Sequence, residues 1–362
     1  RQPSALKSTE TNSSAIPSLL LDWFCANARD LPWRKTRDPY AIWVSEIMLQ
    51  QTQVKTVIPY WERWMRELPD IASLATASSE KIHKLWEGLG YYTRVRNMQK
   101  AAQVILQQHG GTFPRTLQEV LMLPGIGRYT AGAICSIAYN QPTPILDGNV
   151  IRVLTRVNGI SSNPKEKETN ALLWNHAQTL VEHAARLTMS DRSAESIPQC
   201  SYLNQSLMEL GAIICTPRQP HCEVCPIQKH CTALLENRVA ELPNLGQRVV
   251  PTERHFVAFV VERRGKFLVQ QRPLGVVNAH LWEFPNFETV RKRSGAPAHF
   301  AKISRKPLCK IKHSITRYRI SLEAYRAELS SDHEPPGNWF TYSELKALAF
   351  PSAHRKILDS LQ

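Results

Sequence analysis

Leu123-Pro-Gly-Ile-Gly127 is a five-residue break between two helical stretches, Thr116–Met122 before it and Arg128–Tyr139 after it. Gly125 and Gly127 lack a Cβ, so the backbone there turns tightly and comes close to a ligand. The first N–H groups of the second helix have no partner inside the helix, and the helix dipole adds positive character at that end. Together they suit a phosphate. A plain turn between antiparallel helices has a similar composition, so these residues alone leave both readings open.

Helical patterning continues on both sides. Apolar residues recur at spacings of three and four in Ile16–Phe24, Tyr40–Gln53, Ser79–Leu89 and Asn97–Gln107. Pro or Gly marks the junctions at Pro39, Pro69, Gly110–Gly111 and Pro142–Pro144. A Pro-Gly-x-Gly break in such a context is the helix-hairpin-helix pattern of DNA-binding proteins. The charge points the same way: 45 Lys and Arg against 31 Asp and Glu give +14, which calls for an anionic partner, most commonly nucleic acid. A basic surface without a specific partner is the other reading of the charge. No apolar run is long enough to span a membrane. The start, Arg1–Ser14, is polar and has no signal-peptide core, and it lacks an initiating Met, so a missing N-terminal segment stays open.

Four of the eight cysteines, Cys25, Cys135, Cys200 and Cys309, are scattered. The others form Cys215-x6-Cys222-x2-Cys225-x5-Cys231. A cluster this dense reads as a metal site rather than a disulfide framework, and thiolates select zinc or an iron–sulfur centre. The spacing departs from the common zinc pattern of two C-x2-C pairs. Arg218, Lys229 and His230 make the loop basic.

The texture changes near residue 240. Glu241–Thr252 contains Pro243, Gly246 and Pro251 and reads as a linker. His255–Val261 and Lys266–Gln270 then read as strands around a turn at Arg263–Gly265, with another strand at Arg317–Tyr325 and helices at Tyr342–Leu348 and Ala353–Leu361. The expected organisation is a mobile tail over 1–15, a mainly α domain over 16–235, a linker over 236–253 and a smaller α+β domain over 254–362.

Two carboxylates stand out. Glu46 lies inside the apolar helix Trp43–Gln53, where burial would raise its pKa and suit it to acid catalysis. Asp147 lies in Ile145-Leu-Asp-Gly-Asn-Val150 ahead of a helix. On spacing alone, a solvent-facing Glu46 and a helix-capping Asp147 are the simpler readings.

Leu31-Pro-Trp-Arg34, Ser45-Glu-Ile-Met-Leu-Gln-Gln-Thr-Gln53 and Gly88-Leu-Gly-Tyr-Tyr92 resemble the MutY family of the endonuclease III superfamily. The hairpin, the Leu-Asp-Gly-Asn segment and the cysteine loop follow in that family's order. Leu281-Trp-Glu-Phe-Pro285 and Ala349-Phe-Pro351 extend the resemblance into the second domain. It implies a helix-hairpin-helix glycosylase domain with a [4Fe–4S] cluster on Cys215, Cys222, Cys225 and Cys231, then a MutT (Nudix)-like domain. It implies excision of adenine mispaired with 8-oxoguanine or guanine in duplex DNA, with Glu46 as acid and base and Asp147 stabilising an oxocarbenium ion. Tyr129 and Asn149 would assist. Gln51 and Tyr91 would enter the duplex near the oxidised guanine with Leu89 nearby, Gly125 and Gly127 would meet phosphate, and Arg29, Arg34 and Gln205 would line the adenine pocket.

In related enzymes that also cut the strand, a Lys stands at the position of Tyr129. A phenol forms no imine, so excision without an efficient lyase step is expected. Asn286–Gly295 is basic where a magnesium-binding Nudix helix needs acids, so the second domain is expected to bind rather than hydrolyse nucleotides. Many family members carry Phe-Ser-His in the loop that contacts the oxidised guanine. Here the loop reads Ile315-Thr316-Arg317, which puts the strength of that preference in doubt. The rival readings are an endonuclease III-like lyase acting on oxidised pyrimidines, a catalytically silent lesion-binding protein, and a nucleotide hydrolase. A monomer is expected, in a bacterial cytoplasm given the short linker, or else in a nucleus or mitochondrion.

Overall fold

A computed structural model describes residues 7–187, 197–247, 250–289, 300–315, 317–330 and 335–361. The helices are α1 (Lys7–Asn27), α2 (Pro39–Leu49), α3 (Val54–Glu67), α4 (Ile71–Thr76), α5 (Ser79–Leu85), α6 (Thr93–Gln108) and α7 (Leu117–Met122). They continue with α8 (Arg128–Tyr139), α9 (Gly148–Val157), α10 (Lys167–Arg186), α11 (Gln199–Ile213), α12 (Thr232–Leu235), α13 (Tyr342–Ala347) and α14 (Ser352–Asp359). Helix α1 starts within the stretch that composition reads as a tail. Among the described residues no helix is long and apolar enough to cross a membrane.

The chain packs as two compact units, one of Arg1–Ala75 with Lys100–Gln247, the other of Thr76–Gln99 with Arg248–Gln362. In the first unit, α2 is buried along its length from Tyr40 to Met48. Its start is set by Asp38, whose carboxylate accepts from the Tyr40 and Ala41 N–H groups, and by Pro39 in the first turn. The sequence pattern runs helical to Gln53, but the helix stops at Leu49. Gln50 leaves it with ψ 112°, and Gln51 takes φ 58°. Leu20, Leu21, Ile42, Ile145, Val150, Leu203 and Leu207 lie in a shared apolar core. Thr116 and Glu119 form a reciprocal capping box at the start of α7.

The second unit holds β1 (Thr252–Arg263), β2 (Lys266–Gln271), β3 (Trp282–Glu283), β4 (Asn286–Thr289), β5 (Phe300–Ile303), β6 (Cys309–Ile315), β7 (Tyr318–Leu329) and β8 (Asn338–Thr341). Their central order is β3-β2-β1-β7-β5, with β4 on β1, β6 on β7 and β8 on β2. Strands β1 and β7 run parallel from Thr252↔Tyr318 to Val261↔Ala327, while β1 and β2 form the expected hairpin. Arg264 and Gly265 both have positive φ, as a two-residue hairpin turn requires. Alternation along β1 sends Ala258 and Val260 to one face, where Leu345, Phe350, Ile357 and Leu358 cover them. Phe259 and Val261 point the other way, with Phe287, Phe300 and Tyr325.

Candidate active site

Glu46 is 4% exposed, so the solvent-facing reading fails. The Tyr129 hydroxyl, 83 positions away, donates to its Oε2 at 2.5 Å. Burial pushes the Glu46 carboxyl up to about 7. The Tyr129 hydrogen bond and the Arg34 charge work against that rise, and the Asp147 charge adds to it. The same buried setting drives the Tyr129 phenol well above its ordinary value, with the Glu46 and Asp147 charges adding to the effect. At neutral pH the site therefore holds a phenol as hydrogen-bond donor and a carboxyl poised between its two protonation states.

Asp147 does cap α9, accepting from the Val150 N–H at 2.7 Å. Its second oxygen accepts from Asn149 Nδ2 at 3.0 Å. Burial raises its pKa, and the hydrogen bonds from Val150 and Asn149 oppose the rise. Capping and chemistry are compatible here, because the cap leaves this carboxylate at a helix N-terminus and in electrostatic reach of Glu46. Asn149 is held from the other side by Arg152 Nη2 at 2.9 Å, and Arg152 also donates to Gly211 O and, through Nε, to Cys215 O at 2.7 Å. One guanidinium thus joins the Asp147–Asn149 pair to the cysteine loop. Gly211 permits this approach: a Cβ there would sit 2.7 Å from the Asn149 Cβ.

Arg29 and Arg34 converge on one buried acid. Both donate to Glu209, Arg29 through Nη2 at 2.7 Å and Arg34 through Nη2 at 2.9 Å. Burial opposes the Glu209 charge, but the two arginines outweigh it and bring its pKa down to about 2. Gln205, also buried, donates to Ser201 Oγ, and Met208 Sδ lies 3.4 Å from the Tyr129 hydroxyl. Glu209 escaped the sequence reading. Its one signal is its spacing of four from Gln205 on α11, because the arginines that neutralise it lie 175 and 180 positions away.

At the hairpin, Gly125 has φ 76°, which only a glycine adopts without strain. Gly127 is different. It is the N-cap of α8 with φ −97°, and a Cβ there would meet nothing within 4 Å. Its use is therefore open space beside the helix N-terminus rather than an unusual backbone. Gln51 and Tyr91 are exposed, and both hold positive φ, 58° and 47°. Such backbones cost about 1–3 kcal/mol in non-glycine residues and gather at functional sites. Leu89 is 6% exposed and packs as core. Arg317 is exposed, its guanidinium 5.1 Å from the Tyr318 ring, and Thr316 lies outside the described residues.

Cys215, Cys222, Cys225 and Cys231 line one cavity with Val153, Arg156, Leu210 and Ile227. The Cys225 thiol is pushed up to about 12, first by burial, with the other three sulfurs adding repulsion, so all four share one locus. Among the described residues no three His, Cys, Asp or Glu are gathered so as to hold a single ion. Four thiols around an apolar cavity fit an iron–sulfur cluster, whose positive irons would stabilise thiolates that burial alone disfavours. Arg156, 2% exposed, donates to Cys215 Sγ at 3.3 Å and to the backbone at Thr216 and Leu242. It locks the start of the loop to α9.

Residues 44–179 match the model of the HhH-GPD superfamily of base excision DNA repair proteins. Residues 215–231 match the iron–sulfur binding domain of endonuclease III, and residues 256–360 match a NUDIX domain. A Rattus norvegicus protein named adenine DNA glycosylase is 35% identical, over 98% of this chain and 79% of its own length. The chain belongs to the adenine DNA glycosylase family. A relative of that name from Buchnera aphidicola is 31% identical over 94% of this chain and 97% of its own. A solved thermostable thymine-DNA glycosylase, 29% identical, covers 63% of this chain with a TM-score of 0.55. As an adenine DNA glycosylase family member the chain carries a [4Fe–4S] cluster, and the four loop cysteines lie within its iron–sulfur binding segment.

Proposed function

We propose that the protein removes adenine from duplex DNA where it stands opposite 8-oxoguanine, and that it does so without an efficient strand-cutting step. The observation that carries this reading is the buried Glu46 carboxyl, near pKa 7 and hydrogen-bonded by Tyr129. A leaving adenine needs a proton, since its anion is a poor leaving group. With the base extruded from the stack, protonated Glu46 gives its proton to N7 and the C1′–N9 bond breaks. The Asp147 carboxylate stabilises the oxocarbenium ion and bonds transiently to C1′. Ionised Glu46 then takes a proton from the water that displaces Asp147, which restores both groups. Asn149 keeps Asp147 oriented, and Glu209 orders Arg29 and Arg34 at the pocket wall.

The side chain at position 129 is a phenol with a raised pKa, tied to Glu46, so no amine stands there to form an imine. The cluster supplies structural cohesion, holding a basic loop at the end of α11. Gln51 and Tyr91 enter the duplex beside the lesion, and the α+β unit reads the oxidised guanine through the loop at Arg317.

Single-turnover excision on duplexes carrying adenine opposite 8-oxoguanine, guanine or cytosine tests the substrate. The 8-oxoguanine duplex is expected to react fastest. Equal rates on all three would refute the specificity. Glu46→Gln is expected to abolish excision with DNA binding kept, and loss of both together would make Glu46 structural. A borohydride-trapped stoichiometric adduct would overturn the absence of lyase chemistry.

A further inference from the structure

Glu87 lies just before the turn Gly88-Leu-Gly-Tyr-Tyr92, and its side chain is only 15% exposed. Its Oε1 accepts from the Phe350 N–H at 2.9 Å and from Arg355 Nε and Nη2 at 2.8 and 2.6 Å. Its Oε2 accepts from Lys84 Nζ at 2.7 Å, and the same ammonium donates to the carbonyls of Lys346 and Leu348. Arg355 Nη2 also donates to Leu348 O. One carboxylate from the 76–99 segment is thus gripped by Arg355 of α14 and by the Phe350 N–H in the stretch before it, and the Tyr92 hydroxyl adds a contact to Phe350 O.

The turn that follows has one strained residue. Gly88 and Gly90 take φ values of 103° and 69° freely, as glycine does, but Tyr91 holds φ 47°. From inside, Trp86 Nε1 donates to Gly90 O, and Arg94 Nη2 donates to Leu89 O and Gly90 O. The Arg94 guanidinium sits 5.3 Å from the Trp86 ring and 5.6 Å from the Tyr91 ring. Those contacts shape the turn but do not tie it to the sheet-bearing part of the unit. Glu87 does.

We propose that Glu87 is a positioning residue: through Arg355 and the Phe350 amide, the C-terminal part of the unit holds the Gly88–Tyr92 turn in the conformation that presents Tyr91 to DNA. The role of Tyr91 at the lesion rests on the function proposed above. The clamp does not touch the reacting atoms, so its effect is on discrimination rather than on the excision step.

The test uses the full chain with Glu87→Gln, Arg355→Gln and Arg355→Lys. In the free protein, amide hydrogen exchange over Leu89–Tyr92 is expected to speed up by about tenfold or more in Glu87→Gln and Arg355→Gln, the size of one charge-assisted hydrogen bond. Exchange at the Leu123–Arg128 hairpin should stay unchanged, and Arg355→Lys should restore most of the protection. On DNA, the same two variants are expected to lose about tenfold in preference for 8-oxoguanine over guanine opposite adenine. The single-turnover rate at saturating enzyme on the best duplex should stay within about twofold. Unchanged exchange in the turn overturns the clamp. So does faster exchange with the preference intact, or a loss that spreads to the hairpin and tracks a falling melting temperature. A wild-type protein without any 8-oxoguanine preference refutes the function proposed above instead, and the exchange arm still decides the clamp.

Discussion

Tyr129→Phe isolates one hydrogen bond at the proposed catalytic acid. The hydroxyl donates to Glu46 Oε2 at 2.5 Å and pulls down a pKa that burial holds at about 7. A hydrogen bond to an ionised group is worth about 1.5–3 kcal/mol, and 1.36 kcal/mol corresponds to one pKa unit, so its loss moves the acid up by about one to two pH units. The direction follows from which form gains the bond. The ionised carboxylate accepts more strongly than the neutral acid, so removing the donor favours the protonated form. In single-turnover excision followed from roughly pH 6 to 10, the rate should fall on the alkaline side as Glu46 loses its proton, with a midpoint near 7 in the wild type. In Tyr129→Phe that limb should move alkaline by about one to two pH units, while the plateau on the acid side drops because a weaker acid transfers its proton less readily. A limb that stays in place, or moves to lower pH, refutes either Glu46 as the acid or Tyr129 as the group that supports its charge.

Glu46→Gln should be more stable than the wild type above pH 7. The folded pKa of Glu46 is raised from 4.5 to about 7, so its stabilising contribution is complete below the lower value and is lost as pH rises through the upper one, about 3 kcal/mol in all. Denaturant unfolding at pH 5 and at pH 8 would expose the difference, and equal gaps at the two pH values would contradict it. Gly211→Ala should cost about 1–3 kcal/mol and slow excision, because the new methyl would lie 2.7 Å from the Asn149 Cβ and displace it from Asp147. Unfolding and single-turnover rates measure the two effects separately, and an unchanged rate would mean that the placement of Asn149 does not matter. Cys225→Ser should lose iron and the visible absorption of the cluster and lower the melting temperature, since this sulfur lies at the apolar centre of the loop. Full iron content in that variant would contradict a four-thiolate site.

Several parts of the protein were legible before any fold was known. The Pro-Gly-Ile-Gly break, the cysteine spacing and the turn at Arg263–Gly265 are written in residues close together in the chain. Their conformations follow from local sterics, missing donors or loop geometry, which act over a handful of positions. The helical pattern around Glu46 was equally visible, but it overran the end of α2. The turn at Gln50 and Gln51 needs a backbone that no local preference of glutamine supplies.

What only the tertiary structure decided are the pairings across distance. Nothing local tells Tyr129 to meet Glu46 83 positions away, or Arg29 to meet Glu209 180 positions away. Nor does it tell Arg152 to tie Asn149 to the cysteine loop, or Glu87 to close on Arg355. A buried charge must find an opposite charge or a donor wherever packing brings one. That partner is set by how the helices and strands stack, so the identities of acids and donors can be read along the chain while their protonation and their roles emerge only once the core has closed around them.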